Sequence, residues 1–241
     1  MSKLYIIIQA RMTSSRLPGK VLLPFGTNSI LETMLERLNN FKSNIIIATT
    51  NDGTEAPIIN VCQKNDIRFY RGDTEDVLGR YFNAAKFFDA KADDIIIRLT
   101  SDCPFIDPKW IQTAIDIFER KQFDIVSLGP HSGFPRGLDT CIFNFSLLEN
   151  TSKLATMRAD REHVTLGMNK FTNLSVFNLS AKADYSQFRI TLDEPDDYKM
   201  LCALYKHFNY DPTFSYEQLI HALTIRSDIS NINKHVEQKS N

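Results

Sequence analysis

Short apolar runs alternate with amphipathic stretches along the first half of this 241-residue chain, and that alternation restricts the fold more than any other feature. The first run is Ile6-Ile7-Ile8. Asn44 to Thr49, Ile67 to Tyr70, Asp94 to Leu99 and Asp124 to Leu128 follow, and each reads as a short strand. The stretches between them carry helix signals. Ser29-Ile30-Leu31-Glu32 is a capping box, and Ile30, Leu31, Met34, Leu35 and Leu38 form the stripe behind it. A second helix has Pro57 in its first turn and reaches about Gln63. Thr74-Glu75-Asp76 sets a cap and two acids ahead of an inner face made of Val77, Tyr81, Ala84, Ala85 and Phe88. Asp107-Pro108 starts a fourth helix, buried through Ile111, Ala114, Ile115 and Phe118. Repeated βα units mean an α/β fold, a largely parallel sheet with helices on both faces.

After Pro130 the rhythm changes. Gly137 to Phe143 and Asn173 to Leu179 read as strands flanking a helix near Arg161 to Met168. Phe188 to Leu192 reads as a final strand, followed by helices from Pro195 to about Phe208 and from Tyr216 to Ile225. The polar residues from Ser227 read as a frayed end. The expected division is one domain over 1–226 and a C-terminal tail over 227–241.

Charge and cysteine usage narrow the function. Lys and Arg total 28 against 29 Asp and Glu, a net charge of −1, without the basic excess of a nucleic-acid binder. Cys62, Cys103, Cys141 and Cys202 form no C-x-x-C pair, so neither a zinc site nor a disulfide framework is expected. No apolar run approaches the roughly 18 residues of a membrane span, and no signal-peptide pattern opens the sequence. Reduced thiols and no membrane insertion make a cytoplasmic protein the expectation.

The first run ends in Gln9-Ala10-Arg11-Met12-Thr13-Ser14-Ser15-Arg16-Leu17-Pro18-Gly19-Lys20. The end of a strand in an open α/β sheet is where ligands bind. Backbone N–H groups of Thr13, Ser14, Ser15 and Gly19, with the charges of Arg11, Arg16 and Lys20, suit a polyphosphate. A solvated basic turn is the plainer reading. A Walker A loop is excluded by Ser14 and Val21, and no G-x-G-x-x-G occurs in the chain.

Two acids follow strands in the same way. Asp102 ends Ile95-Ile96-Ile97-Arg98-Leu99-Thr100-Ser101-Asp102-Cys103-Pro104 and is either a ligand or a turn former. Asp193 ends Phe188-Arg189-Ile190-Thr191-Leu192-Asp193, ahead of Glu194 as N-cap and Pro195 at N1, where Asp196 and Asp197 complement the helix dipole. Two carboxylates at neighbouring strand ends suit Mg²⁺, a hard ion that completes its octahedron with phosphate oxygens and water.

The loop at residues 9–20 resembles the Q-A-R-M-x-S-x-R-L-P-G-K signature of the SpsF-type cytidylyltransferases of spore-coat polysaccharide synthesis, relatives of the acylneuraminate and KDO cytidylyltransferases. Glu75-Asp76-Val77-Leu78-Gly79-Arg80-Tyr81, Pro135-Arg136-Gly137-Leu138-Asp139 and Arg161-Glu162-His163-Val164-Thr165 resemble further segments of that branch, in order. The resemblance runs from Leu4 to about Phe208. It implies a Rossmann-like, three-layer α/β/α nucleotidyltransferase fold (GT-A-like) with a mostly parallel mixed sheet. It also implies transfer of CMP from CTP to an acidic sugar or related hydroxylated acid, with pyrophosphate released, for surface polysaccharides.

On that resemblance Gln9, Ala10, Arg11, Arg16 and Lys20 bind the triphosphate. Thr49, Asn51 and Arg80 meet the nucleoside, and Asp102 and Asp193 hold Mg²⁺. Arg136, Asp139, Arg161, His163 and Arg189 face an anionic acceptor. Arg11, Lys20, Asp102 and His163 are the candidates for catalysis. Arg80 also reads as a partner of Glu75 or Asp76, and Arg161 with Glu162 as a surface pair. The branch often has an acid two residues beyond Asp139, where this chain has Cys141, which weakens acid–base chemistry on that strand. A homodimer is left open. The rival functions are a glycosyltransferase of related fold using a nucleotide-sugar donor, for which no D-x-D motif is found, and a non-catalytic nucleotide-binding subunit of a polysaccharide-assembly complex.

Overall fold

Alternate residues of the first strand feed two different cores. In the computed structural model, which describes residues 2–120, 122–171 and 173–237, β1 spans Leu4–Gln9. Ile6 and Ile8 join one apolar cluster, and Tyr5 and Ile7 the other. This is the side-chain alternation of a strand covered on both faces.

A hairpin of β2 (Pro24–Phe25) and β3 (Asn28–Ser29) leads into α1 (Ile30–Arg37), which is capped by Ser29 and Glu32 as the sequence indicates. Then come β4 (Ile45–Thr50), α2 (Ala56–Lys64), β5 (Arg68–Gly72), α3 (Val77–Phe87), β6 (Ile95–Thr100), α4 (Pro108–Phe118) and β7 (Ile125–Leu128). The second half adds β8 (Thr140–Asn144), α5 (Phe145–Leu154), α6 (Arg158–Glu162), α7 (Met168–Phe171) and β9 (Val176–Asn178). It closes with α8 (Pro195–His207), α9 (Tyr216–Ile225) and α10 (Ser227–Ser230).

The sheet order is β5-β4-β1-β6-β8-β7-β9. β8 runs antiparallel to both of its neighbours, and the other pairs are parallel. One face is covered by α1, α2, α4, α8 and α9, and the other by α3 and α5. This is a three-layer α/β/α arrangement, as expected. It sets the C-terminal ends of β1, β4 and β6 side by side, the place for a ligand. Among the described residues no helix is long and apolar enough to cross a membrane.

Four readings need correction. The cap of α3 is Asp76, whose carboxylate accepts the Gly79 N–H, rather than Thr74. The helix expected near Arg161 to Met168 is two short ones, α6 and α7, and α5 was not anticipated. Phe188 to Leu192 is not a strand of the sheet. β8 takes the free edge of β6, so this segment joins no ladder; its backbone is held by a bridge between Arg136 and Arg189 and by the Leu192 N–H on the Asp102 carbonyl, together with side-chain contacts. The described part of the tail is not frayed, because Ile229 and Asn233 are buried. Residues 238–241 of that tail lie outside the described residues.

Candidate active site

The loop after β1 folds back on Met12, whose carbonyl accepts the N–H of both Ser14 and Gly19. Gly19 has φ +69, a left-handed conformation that would strain a residue with a side chain. The turn delivers Lys20 to the ends of two distant segments. Its Nζ donates to Asp102 Oδ2 (2.9 Å), Asp193 Oδ1 (2.9 Å) and the Leu192 carbonyl (2.6 Å).

Burial works against the Lys20 charge, but the two carboxylates outweigh it and hold the pKa above the ordinary value. Burial likewise opposes ionisation of Asp102, and Lys20 overrides it, holding that carboxyl down at about 2. Arg16 joins through Nη2 to Asp193 Oδ1 (3.1 Å) and Nη1 to Glu194 Oε1 (3.3 Å). Gln9, Arg11, Arg16, Lys20, Asp102 and Asp193 thus line one cavity of about 160 Å³.

The acid pair fits a hard divalent ion. Two carboxylate oxygens already converge on one cationic centre, and carboxylate oxygen is the donor such ions prefer. Among the described residues no cluster of three or more His, Cys, Asp or Glu gathers as a metal site, so further ligands would have to come from a substrate or water.

Beside this cavity, at the ends of β4 and β5, Arg80 is 1 % exposed. Its Cγ and Cδ lie over Gly72, where a Cβ would come within 2.7 Å of the Cγ. Nη1 donates to the Asp73 and Thr74 carbonyls, not to Glu75 or Asp76. Its Nε and Nη2, and Oγ1 of buried Thr49, have no hydrogen-bond partner among the described residues. Burial and the neighbouring Arg11 lower the Arg80 pKa. Unpaired buried donors are costly, and they mark a place where a polar ligand would be held. Asn51, just after β4, is exposed and lines neither this cavity nor the next.

The acceptor candidates separate. Arg161 is committed: Nε and Nη2 grip Asp76 (2.9 and 2.6 Å), and Nη1 donates to the Ser152 and Ala155 carbonyls. It ties α6 to the cap of α3 and forms no surface pair with Glu162. Arg189 is committed as well, with Nε on Asp197 Oδ1 (2.9 Å) and Nη2 on Asp193 Oδ2 (2.7 Å). His163 closes α6 and lines neither this cavity nor the next. Arg136 contributes its backbone to the bridge with Arg189. Asp139 Oδ2 accepts the Gly137 N–H. Gly137 has φ +108, and a Cβ on it would meet the Ile190 and Thr191 backbone at 2.7 Å, so only glycine allows that close approach.

A second cavity, about 370 Å³, opens along the same strand. Arg98, Cys141, Ser127 and Asn178 sit in register across β6, β8, β7 and β9, and all four line it with Asp139 and Thr165. Arg98 escaped the sequence reading, although a lone cation inside Ile95-Ile96-Ile97-Arg98-Leu99 was its signal. Thr100, two residues on, lines the first cavity, so the two adjoin over β6.

Comparison with known proteins shows what the chain is similar to. The family model described as cytidylyltransferase matches residues 5–226. The chain is 34% identical over 239 residues to the spore coat polysaccharide biosynthesis protein SpsF of Bacillus subtilis (strain 168), covering 95% of this chain and 97% of that one. It is 32% identical over 128 residues to an 8-amino-3,8-dideoxy-manno-octulosonate cytidylyltransferase of Shewanella sp. (strain W3-18-1), about half of each chain. A solved cytidylyltransferase from Leptospira borgpetersenii serovar Hardjo-bovis superposes with a TM-score of 0.90 at 34% identity, covering 100% of both chains.

Proposed function

This chain belongs to the cytidylyltransferase family, and from that premise we propose that it transfers CMP from CTP to a hydroxyl of an acidic sugar, releasing pyrophosphate. The observation that carries the reading is the convergence of Asp102 and Asp193 on Lys20 at the mouth of the basic loop. Family membership sets aside the glycosyltransferase and the non-catalytic subunit.

Arg11, Arg16 and Lys20 bind the triphosphate, with Arg16 and Lys20 exchanging their carboxylate partners for phosphate oxygens. Arg80 and Thr49 meet the nucleoside with their unpaired donors. Asp102 and Asp193 would hold Mg²⁺, which when bound neutralises phosphate charge and favours attack at the α-phosphorus. The rest of the rate comes from alignment: a hydroxyl held in line with the departing pyrophosphate needs little covalent help from the protein.

The acceptor occupies the second cavity. Arg98 pairs with its carboxylate, and Ser127 and Asn178 bind its hydroxyls. This places the acceptor charge on Arg98 rather than on the committed Arg161 and Arg189. A sugar acid is also what the name of the Shewanella relative states for that protein, and the Bacillus relative suggests surface polysaccharide as the destination.

Pyrophosphate release tests the reading, with CTP, UTP, ATP and GTP each paired with a panel of sugar acids and neutral hexoses. Turnover confined to CTP with a sugar acid is expected. Equal rates with UTP would remove the base assignment, and turnover with neutral hexoses would remove the acidic acceptor.

A further inference from the structure

Asp193 follows a segment that no sheet ladder fixes, yet its carboxylate has a defined orientation. Oδ2 is taken by Arg189 Nη2 at 2.7 Å, which leaves Oδ1 turned to Lys20 and Arg16. Arg189 is set in turn by Asp197, which is completely buried. Asp197 Oδ1 accepts Arg189 Nε, and Oδ2 accepts Arg189 Nη2 together with the backbone N–H groups of Asp193 and Glu194, all three residues within reach of one carboxylate.

The last member comes from the C-terminal segment. Asn233, 2 % exposed, donates through Nδ2 to Asp197 Oδ1 (2.8 Å) and to the Arg189 carbonyl (3.0 Å). α10, with buried Ile229, anchors that segment. The family match ends at residue 226, before Asn233.

We propose that Asn233 is a positioning residue for the metal site, holding Asp197 and Arg189 so that Asp193 presents Oδ1 to the crevice. This rests on Asp102 and Asp193 being the metal acids. The physical reason is directional. A buried carboxylate whose oxygens are all engaged cannot rotate without leaving a donor unpaired, so its partner Arg189 is fixed in two dimensions. Groups that orient a metal ligand without touching the ion commonly change metal affinity by about 10–100-fold when removed. Without Asn233, Asp197 Oδ1 keeps only Arg189, and the Arg189 carbonyl loses its amide partner. The Arg189 fork then gains freedom, and with it the Asp193 carboxylate.

The test uses the full chain, Mn²⁺ as the probe, and two titrations. Mn²⁺ binding in saturating CTP is followed by electron paramagnetic resonance, and CTP binding in chelator by calorimetry. For Asn233→Ala the expected result is about tenfold weaker Mn²⁺ binding, with metal-free CTP affinity within about twofold of the parent. Unchanged Mn²⁺ affinity would overturn the proposal. So would an equal loss of metal-free CTP binding, which would mean general damage. If Asn233→Ala does not fold, Asn233→Ser, which keeps one donor, is expected to show a smaller loss confined to Mn²⁺, and no loss would count against the proposal. A parent protein whose CTP complex binds no Mn²⁺ would overturn the metal reading and this proposal together, whereas failure of the variant effect alone leaves the metal reading standing.

Discussion

Asp102 and Asp193 share one ammonium group: Lys20 Nζ lies 2.9 Å from a carboxylate oxygen of each. The same lysine is assigned to the triphosphate, so its removal should act in two directions. Lys20→Ala is expected to weaken CTP binding by about 1.5–3 kcal/mol, the size of a lost charged hydrogen bond, and CMP binding much less. Without nucleotide, Mn²⁺ should bind the variant more tightly than the parent, because the acids have lost their internal cation. Calorimetry with CTP, CMP and Mn²⁺ reads all three, and equal losses for CTP and CMP would point to a disrupted loop instead.

Asp102→Asn should reduce turnover by at least about a hundredfold while the fold survives. The side chain lines a cavity and holds no apolar core, so the melting temperature should fall only by what the lost ion pair with Lys20 contributes, about 2 kcal/mol or roughly 4–8 °C. A variant that stays active but melts well below the parent would make Asp102 a turn residue.

Arg98 should take the acceptor role that sequence alone gives to Arg161. Arg161→Ala breaks the fork on Asp76 and two carbonyl contacts, an expected loss of about 2 kcal/mol, or roughly 4–8 °C in melting temperature. Its acceptor KM should stay close to that of the parent. Arg98→Ala should do the opposite, raising acceptor KM about tenfold or more with CTP affinity retained. Thermal melts and steady-state kinetics on a sugar acid that turns over separate the two, and a KM effect confined to Arg161→Ala would return the acceptor to α6.

Alkaline pH should destabilise the protein through groups buried in neutral form. Burial pushes the thiols of Cys62 and Cys141 from 9.0 up to about 12, and the Tyr81 phenol from 10.0 to about 12. Because the folded values lie above the unfolded ones, their stabilising effect is complete below about pH 9 and drains away as pH rises toward 12. Melting temperature should therefore fall across that range. At pH 8 the same two thiols should resist alkylation until the chain is unfolded, and rapid labelling of native protein at Cys62 or Cys141 would contradict their burial.

Local chemistry made much of the fold legible. The capping box at Ser29, the Asp107-Pro108 start and the isoleucine-rich strands are written in neighbouring residues, and the structure has each of them. The second half was read less well because its elements depend on distant partners. Phe188 to Leu192 has strand composition, but β8 already pairs with β6, so no ladder was left for it. The polar segment after Ser227 resembles a frayed end until Asn233 meets Asp197 and Arg189.

By itself the sequence determined the alternating βα frame, the basic loop at residues 9–20 and the presence of acids after strands, since periodicity, capping and composition are local properties. Tertiary structure alone decided what each charge does. Arg11, Arg16, Arg98, Arg161 and Arg189 carry the same group, and only packing commits Arg161 to Asp76 and Arg189 to Asp197 while leaving Arg98 facing a cavity. A guanidinium's role is fixed by which acceptors lie within about 3 Å of its nitrogens, and those acceptors come from segments far away in the chain.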